Sequence, residues 1–464
     1  MKPRLSLLTL CLLLSACGSP AQRPDSGIVP PSSWQSPHPG GATRSHAQWW
    51  TQFGSPELDR LIEQARVGSY DLAAAVARVR QAQADTVIAG GSQLPEVKAM
   101  LNANRQKLLR GNGYSQLDVD NSDKGVDYFD ASLGASYEID FWGGQRAARD
   151  SARFGLQASE FDQATVALTL LSGVANSYAQ ALALREQRRI AELNLGNAQR
   201  VLQLVQTRFD SGSATALELA QQKSLVAAQQ RQLPAVQQQA EDALISLAAL
   251  LGRPVQELTS INQSFDQLRW PVIGAGVPSE LLVRRPDIAR AEAQLAAARA
   301  DVTVARAAML PAVTLGATLG SGANIASELL CSPFYNLTAG LVAPIFNNAR
   351  LGAERDKAKA RQEELLENYR GAIINGFADV EKALNSIRGL DEQRQWQSEE
   401  LRQAQTAFNL AQSRYEAGAE DLLTVLETQR TLYAAQDLNV QLRLSRLQAS
   451  IALYKALGGG WQVL

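Results

Sequence analysis

Side chains able to hold a metal or carry covalent chemistry are scarce in this sequence. Three cysteines and two histidines occur among 464 residues, and none falls in a C-x-x-C or H-E-x-x-H spacing. No metal or cofactor is therefore expected, and the chain does not read as an enzyme. What remains is the chemistry of charge and hydrogen bonding. It is concentrated in Arg414 to Glu427 (RYEAGAEDLLTVLE), with a relative from Arg208 to Gln221 (RFDSGSATALELAQ). Each copy sets an arginine and an aromatic residue before a glycine, and a carboxylate follows: Glu218 after Gly212, Glu427 after Gly418.

One shift of 206 positions places Arg208 on Arg414, Phe209 on Tyr415, Gly212 on Gly418 and Leu251-Gly252 on Leu457-Gly458. A second shift, of 216, places Asp71 on Asp287 and Leu94-Pro95 on Leu310-Pro311. The chain is an internal duplication with a period near half its length, far longer than that of a solenoid. The glycines most simply make tight turns between two helices. Arg208 and Arg414 either bond helix-terminal carbonyls or face a partner.

A net charge of −1 and a pI of about 6.3 give no bulk attraction to nucleic acid. Lys2 and Arg4 precede an apolar run from Leu5 to Leu14 that is too short to span a bilayer. Leu14-Ser15-Ala16-Cys17 then resembles a bacterial lipobox. The resemblance implies removal of residues 1–16, acylation of Cys17 and, with Gly18 following, delivery to the outer membrane; the alternative is an ordinary signal peptide. Two acyl chains suffice for stable anchoring. Residues 17–50 read as a lipidated tether rich in Pro, Gly and Ser, ending in Trp49-Trp50, which suit either a core or an interface.

The elements follow from periodicity. A helical pattern runs from about Pro56 towards Gly90. After Pro95 the period becomes two: Val97, Ala99, Leu101 and Ala103, then Phe129 to Phe141 against Asp130 to Asp140. The second half repeats this with Val313 to Leu319 and Tyr335 to Ile345. Runs of this length match tilted strands crossing an outer membrane, with apolar side chains to lipid. Between the strand pairs the chain is helical without a break. Gly143 to Phe209 alone spans about 100 Å at 1.5 Å per residue, and Pro234 should bend the first return arm. Outside the signal no unbroken apolar run reaches 18 residues, so no transmembrane helix is expected. The expected organisation is a first repeat, 51–252, with a β-hairpin at 95–141 and a helical hairpin at 143–251. A connector, 253–283, leads to a second repeat, 284–464, with hairpins at 311–345 and 347–457. Cys331 falls in a loop as a small residue without a role.

Four strands cannot span a bilayer with open edges, and bacterial barrels need at least about eight, so the barrel must be shared between subunits. At this point the motifs WWTQFGSPELDRLI, RPDIARAEAQLAAARADVTVARAAMLPAVTL, PIFNNAR, RFDSG, RYEAG and YKALGGGW resemble the TolC-type outer membrane factors, in the acylated multidrug-efflux branch. The resemblance implies an α+β membrane protein. Four transmembrane strands per protomer would close a twelve-stranded barrel in a homotrimer, and the very long helices would form a periplasmic α-barrel. It also implies a passive exit duct for small toxic compounds. A periplasmic adaptor (membrane fusion) protein and an inner-membrane transporter of the resistance-nodulation-division class would deliver the cargo.

Carried over by position, the periplasmic gate would comprise Glu218, Tyr415 and Glu427, with a Tyr415 hydroxyl to Glu218 carboxylate bond holding helices closed and a Glu427 ring favouring cations. Each carboxylate can also be read as part of a solvated helix face, and Tyr415 as core. Arg208, Gly212, Arg414 and Gly418 would dock the adaptor. Glu420 stands where some relatives carry an arginine, which departs from an arginine-based latch. Two rivals remain: a channel for type I protein secretion, and a non-pore structural or adaptor lipoprotein, which would have no use for four alternating strands.

Overall fold

The period-two stretches form one sheet and the rest of the chain is helical. The structure, a computed structural model, describes residues 26–36, 48–107 and 126–461; the signal segment, Cys17 and most of the tether lie outside them. In chain order the elements are α1 (Pro56–Gly68), α2 (Tyr70–Gly91), β1 (Glu96–Gln106), β2 (Val126–Ile139), α3 (Gly144–Asp210), α4 (Ala216–Leu250), α5 (Leu281–Arg284), α6 (Pro286–Ala307), β3 (Ala312–Ala323), β4 (Pro333–Val342), α7 (Asn348–Glu416) and α8 (Leu422–Ala456). β2 and β4 stop two or three residues short of the expected Phe141 and Ile345.

The chain condenses into two compact units, and neither coincides with a repeat. The first contains Arg80–Ala158 and Ala291–Tyr369. Its four strands are antiparallel in the order β1-β2-β3-β4. The register sets Ala99, Leu133, Leu319 and Tyr335 in one row and Val97, Ala135, Ala317 and Leu337 in the next. Leu133, Leu319, Tyr335 and Leu337 are all more than half exposed. The other face carries Ser132, Gly134, Thr318 and Asn336. An apolar row facing outwards would be costly in water and suits lipid. β1 and β4 each pair on one side only among the described residues.

The second unit holds Ile28–Val79, Ser159–Arg290 and the chain from Arg370 onward. Its core is built on Trp49, which stacks on Tyr454 at 5.1 Å, with Trp50, Phe53, Tyr178 and Leu182 buried around it. The tryptophan pair is therefore core. The tether is not free along its described part. Trp34 is 7% exposed, donates from Nε1 to Gly276 O at 2.9 Å, and is followed by backbone N–H groups of Gln35 and Ser36 bonded to the Glu381 carboxylate. Burying an indole of this size contributes about 2–3 kcal/mol, which one tryptophan supplies even within a Pro- and Ser-rich segment.

The helix expected from Pro56 towards Gly90 divides. Ser55 caps its start by accepting from Leu58 N–H, and Ser69 turns to extended backbone. The second repeat breaks at the equivalent Arg285. The reason lies in the returning helices. A Cβ on Gly252 would strike the carbonyl of Gly68, and one on Gly458 the carbonyl of Arg284. Both glycines also have positive φ, 69° and 87°. Each return arm thus ends on a glycine pressed against the break of the entering helix, a contact that the duplication repeats.

α3 and α7 run for 67 and 69 residues. α4 continues through Pro234 as one helix of 35 residues. One 18-residue stretch of α3 is apolar enough to cross a membrane by length and composition, but half of it is buried, as in a core helix. The connector is stitched down rather than loose. Glu57 accepts from Asn262 and Gln263 N–H, Arg185 donates to carbonyls 261–263, and the guanidiniums of Arg394 and Arg443 lie 3.9 and 4.6 Å from the centre of the Trp270 ring.

Candidate functional site

The two hairpin tips, α3 to α4 and α7 to α8, are built alike. Gly212 (φ 76°) and Gly418 (φ 74°) end the descending helices in the left-handed region. Ser213 N–H bonds Arg208 O and Gly212 N–H bonds Phe209 O. Ala419 and Gly418 repeat the pair on Arg414 O and Tyr415 O. A Cβ at either glycine would meet open space, so conformation and not crowding requires glycine there.

The returning helices start on different caps. Thr215 and Glu218 form a reciprocal capping box: Glu218 N–H bonds Thr215 Oγ1 at 3.2 Å, and the Glu218 carboxylate accepts from Thr215 N–H at 2.6 Å. Asp421 caps α8 through Thr424 N–H at 2.8 Å, a bond that lowers its carboxyl pKa. The T-x-x-E spacing in the sequence was a readable signal for the first cap.

This geometry corrects the expected Tyr415–Glu218 bond. The Glu218 carboxylate is engaged on its own helix terminus, and the buried Tyr415 hydroxyl has no hydrogen-bond partner among the described residues. Tyr415 is 2% exposed and packs in an apolar cluster with Val201, Val205, Phe408, Leu422 and Val425. Burial raises its pKa, with the Arg208 guanidinium opposing.

Arg208 supplies the link that the tyrosine does not make. Its guanidinium donates to Tyr415 O at 2.6 Å and Glu416 O at 3.3 Å, and lies 4.3 Å over the Tyr415 ring. A cation from one tip thus closes the carbonyl end of the helix in the other, where the helix dipole is negative. Arg414 stays within its own tip, its Nε 3.3 Å from a Glu420 carboxylate oxygen. Further along, Tyr433 O–H donates to Asn194 O at 2.8 Å, tying α8 to α3, and burial pushes its pKa up to about 12. Glu427 is exposed on α8. Cys331 is exposed and free, and no group of acids, histidines and cysteines suited to a metal occurs among the described residues.

The sheet, whose outer strands β1 and β4 pair on one side only among the described residues, is thus joined to helices of 67 and 69 residues that end in two clasped tips. The family described as outer membrane efflux protein matches residues 61–253 and 277–459. The chain belongs to this family. It is 64% identical over 459 residues to the pyoverdine export outer membrane protein OpmQ of Pseudomonas aeruginosa, covering 99% of this chain and 97% of that one. It is 31% identical over 422 residues to the cation efflux system protein CusC of Escherichia coli, covering 90% and 89%. The solved outer-membrane channel OprN superposes with a TM-score of 0.89 at 27% identity, covering 96% of this chain and 99% of that one. The fold is that of the trimeric TolC-type channels, the protein lies in the outer membrane with a large periplasmic extension, and it is the outer membrane channel of an efflux system.

Proposed function

We propose that this protein is the passive exit duct for pyoverdine, delivered by an inner-membrane transporter of the resistance-nodulation-division class through a periplasmic adaptor. The observation that carries the cargo is the difference in identity between relatives: 64% to a pyoverdine exporter against 31% to a cation exporter, each over nearly the whole relative or most of it. In this reading the channel performs no catalysis. Three copies pair β1 of one with β4 of the next, which gives twelve strands and leaves no edge in lipid. Acylated Cys17 adds a second attachment to the membrane.

The tips form the gate. Glu427 carboxylates ring the axis and favour cations, Tyr415 anchors the second tip in its apolar cluster, and Glu218 fixes the start of α4. The open space above Gly212 and Gly418 receives the adaptor, with Arg414 beside it. Arg208 has a double duty as a docking residue and as the clasp between tips. Deleting the gene and measuring pyoverdine in the medium and inside the cells tests the cargo. Retention in cells, reversed by a plasmid copy, supports the reading. Normal release, with accumulation of a fluorescent amphiphile instead, would assign the channel to general drug efflux.

A further inference from the structure

A cavity of about 550 Å³ opens where β2 passes into α3, in the first compact unit, and the channel reading gives it no task. Its walls include Phe141 and Trp142 from the β2–α3 junction, Arg146 and Asp150 from the first turns of α3, and Arg299 and Thr303 from α6. The site is held in place. Trp142 donates from Nε1 to Pro311 O at 2.8 Å, and a Cβ on Gly144 would meet Ala307 Cβ at 2.7 Å, so the two helices converge closely beside the cavity. The Asp140 carboxylate already caps α3 through Gln145 and Arg146 N–H. An anion in the cavity is therefore left to the guanidiniums and not to the helix terminus.

From α3 the cavity is lined by exposed Arg146 and Asp150 together with buried Ala147 and half-buried Phe154. Phe141 and Trp142 are 65% and 51% exposed at its upper rim, directly beyond a strand with an outward apolar row. Exposed aromatic rings at the end of a membrane strand belong at the headgroup level. On the helical side of an outer membrane channel that level is the phospholipid leaflet. Two arginines and one carboxylate complement a phosphate joined to an ammonium. Neither Arg146 nor Asp150 is tightly paired, their nearest charged partners lying at 3.7 and 4.0 Å. At the equivalent junction of the second repeat Arg350 is held by Glu354 at 2.6 Å, and Phe346 replaces the tryptophan.

We propose that this cavity binds the headgroup of a zwitterionic phospholipid, with the phosphate between Arg146 and Arg299, the ammonium on Asp150, and Phe141 and Trp142 along the glycerol. The inference rests on the outer membrane placement and not on the cargo. It is tested by native mass spectrometry of the delipidated oligomer titrated with phosphatidylethanolamine, phosphatidylglycerol or inorganic phosphate alone. The expected result is one phosphatidylethanolamine per chain, weaker phosphatidylglycerol and no bound phosphate. The double variant Arg146→Ala, Arg299→Ala should lose tenfold or more in apparent affinity, Asp150→Asn should erase the preference between the two lipids, and Arg350→Ala should change neither. If the double variant fails to assemble, a severalfold loss in Arg299→Gln supports the site and wild-type affinity in it overturns the site. Unchanged binding in an intact double variant, or equal competition by inorganic phosphate, would also overturn it.

Discussion

Replacing Arg208 by alanine removes the side-chain hydrogen bonds that join the two tips within a protomer and leaves the apolar cluster around Tyr415 as their remaining contact. The structure assigns Arg208 one short charge-assisted bond to Tyr415 O, a longer one to Glu416 O, and a stack on the Tyr415 ring. The short bond is worth about 1.5 kcal/mol after discounting for partial exposure, and the ring contact about 0.5 kcal/mol. If opening parts the tips, losing about 2 kcal/mol raises the open population of each protomer roughly 30-fold. Planar bilayers containing purified protein read this directly, as a higher open fraction for Arg208→Ala. Arg208→Lys, which keeps the charge but loses the fork, should fall between the two. Wild-type gating in an intact Arg208→Ala oligomer would refute the reasoning, because no other side-chain hydrogen bond among the described residues bridges the tips at that level.

Other consequences follow from the same geometry. Glu427→Ala should raise conductance and weaken cation preference in the same bilayers; unchanged selectivity would remove Glu427 from the lumen-facing ring. Gly252→Ala should lower thermal stability by at least about 1 kcal/mol more than Gly212→Ala, because only Gly252 faces a carbonyl as well as a positive φ. Burial disfavours the Asp287 charge, but its bonds to Arg285 and the Ile288 N–H outweigh this, so the carboxyl titrates below the usual range. Its stabilising contribution is therefore present above the unfolded carboxyl pKa of about 4 and lost as the pH falls through the lower folded value. Asp287→Asn should cost about 2–3 kcal/mol at neutral pH and flatten the acid limb of a melting-temperature profile.

How much the sequence discloses depends on whether the signal is local. The alternation around Leu133 and Leu319 places the strands, and the glycines at 212 and 418 place the tips, because strand period and left-handed caps are properties of neighbouring residues. The break at Ser69 is hidden because the helical period carries across it, and its cause is a glycine nearly 200 residues away in sequence. Glu218 shows a different limit. A carboxylate near a tip suits both a gate bond and a capping box, and the nearer partner, Thr215, takes it. That Arg208 bonds helix-terminal carbonyls is one of the two readings its position allows, but that those carbonyls belong to the other tip leaves no trace in side-chain pattern. Trp34 is likewise obscured by the Pro- and Ser-rich composition around it.

The most direct test of the exit-duct account is passage of pyoverdine through the isolated channel. In a planar bilayer carrying the Arg208→Ala protein, pyoverdine added on the side of the helical tips should interrupt the ion current briefly and appear in the opposite chamber. A steady salt current that pyoverdine neither blocks nor follows across would contradict it.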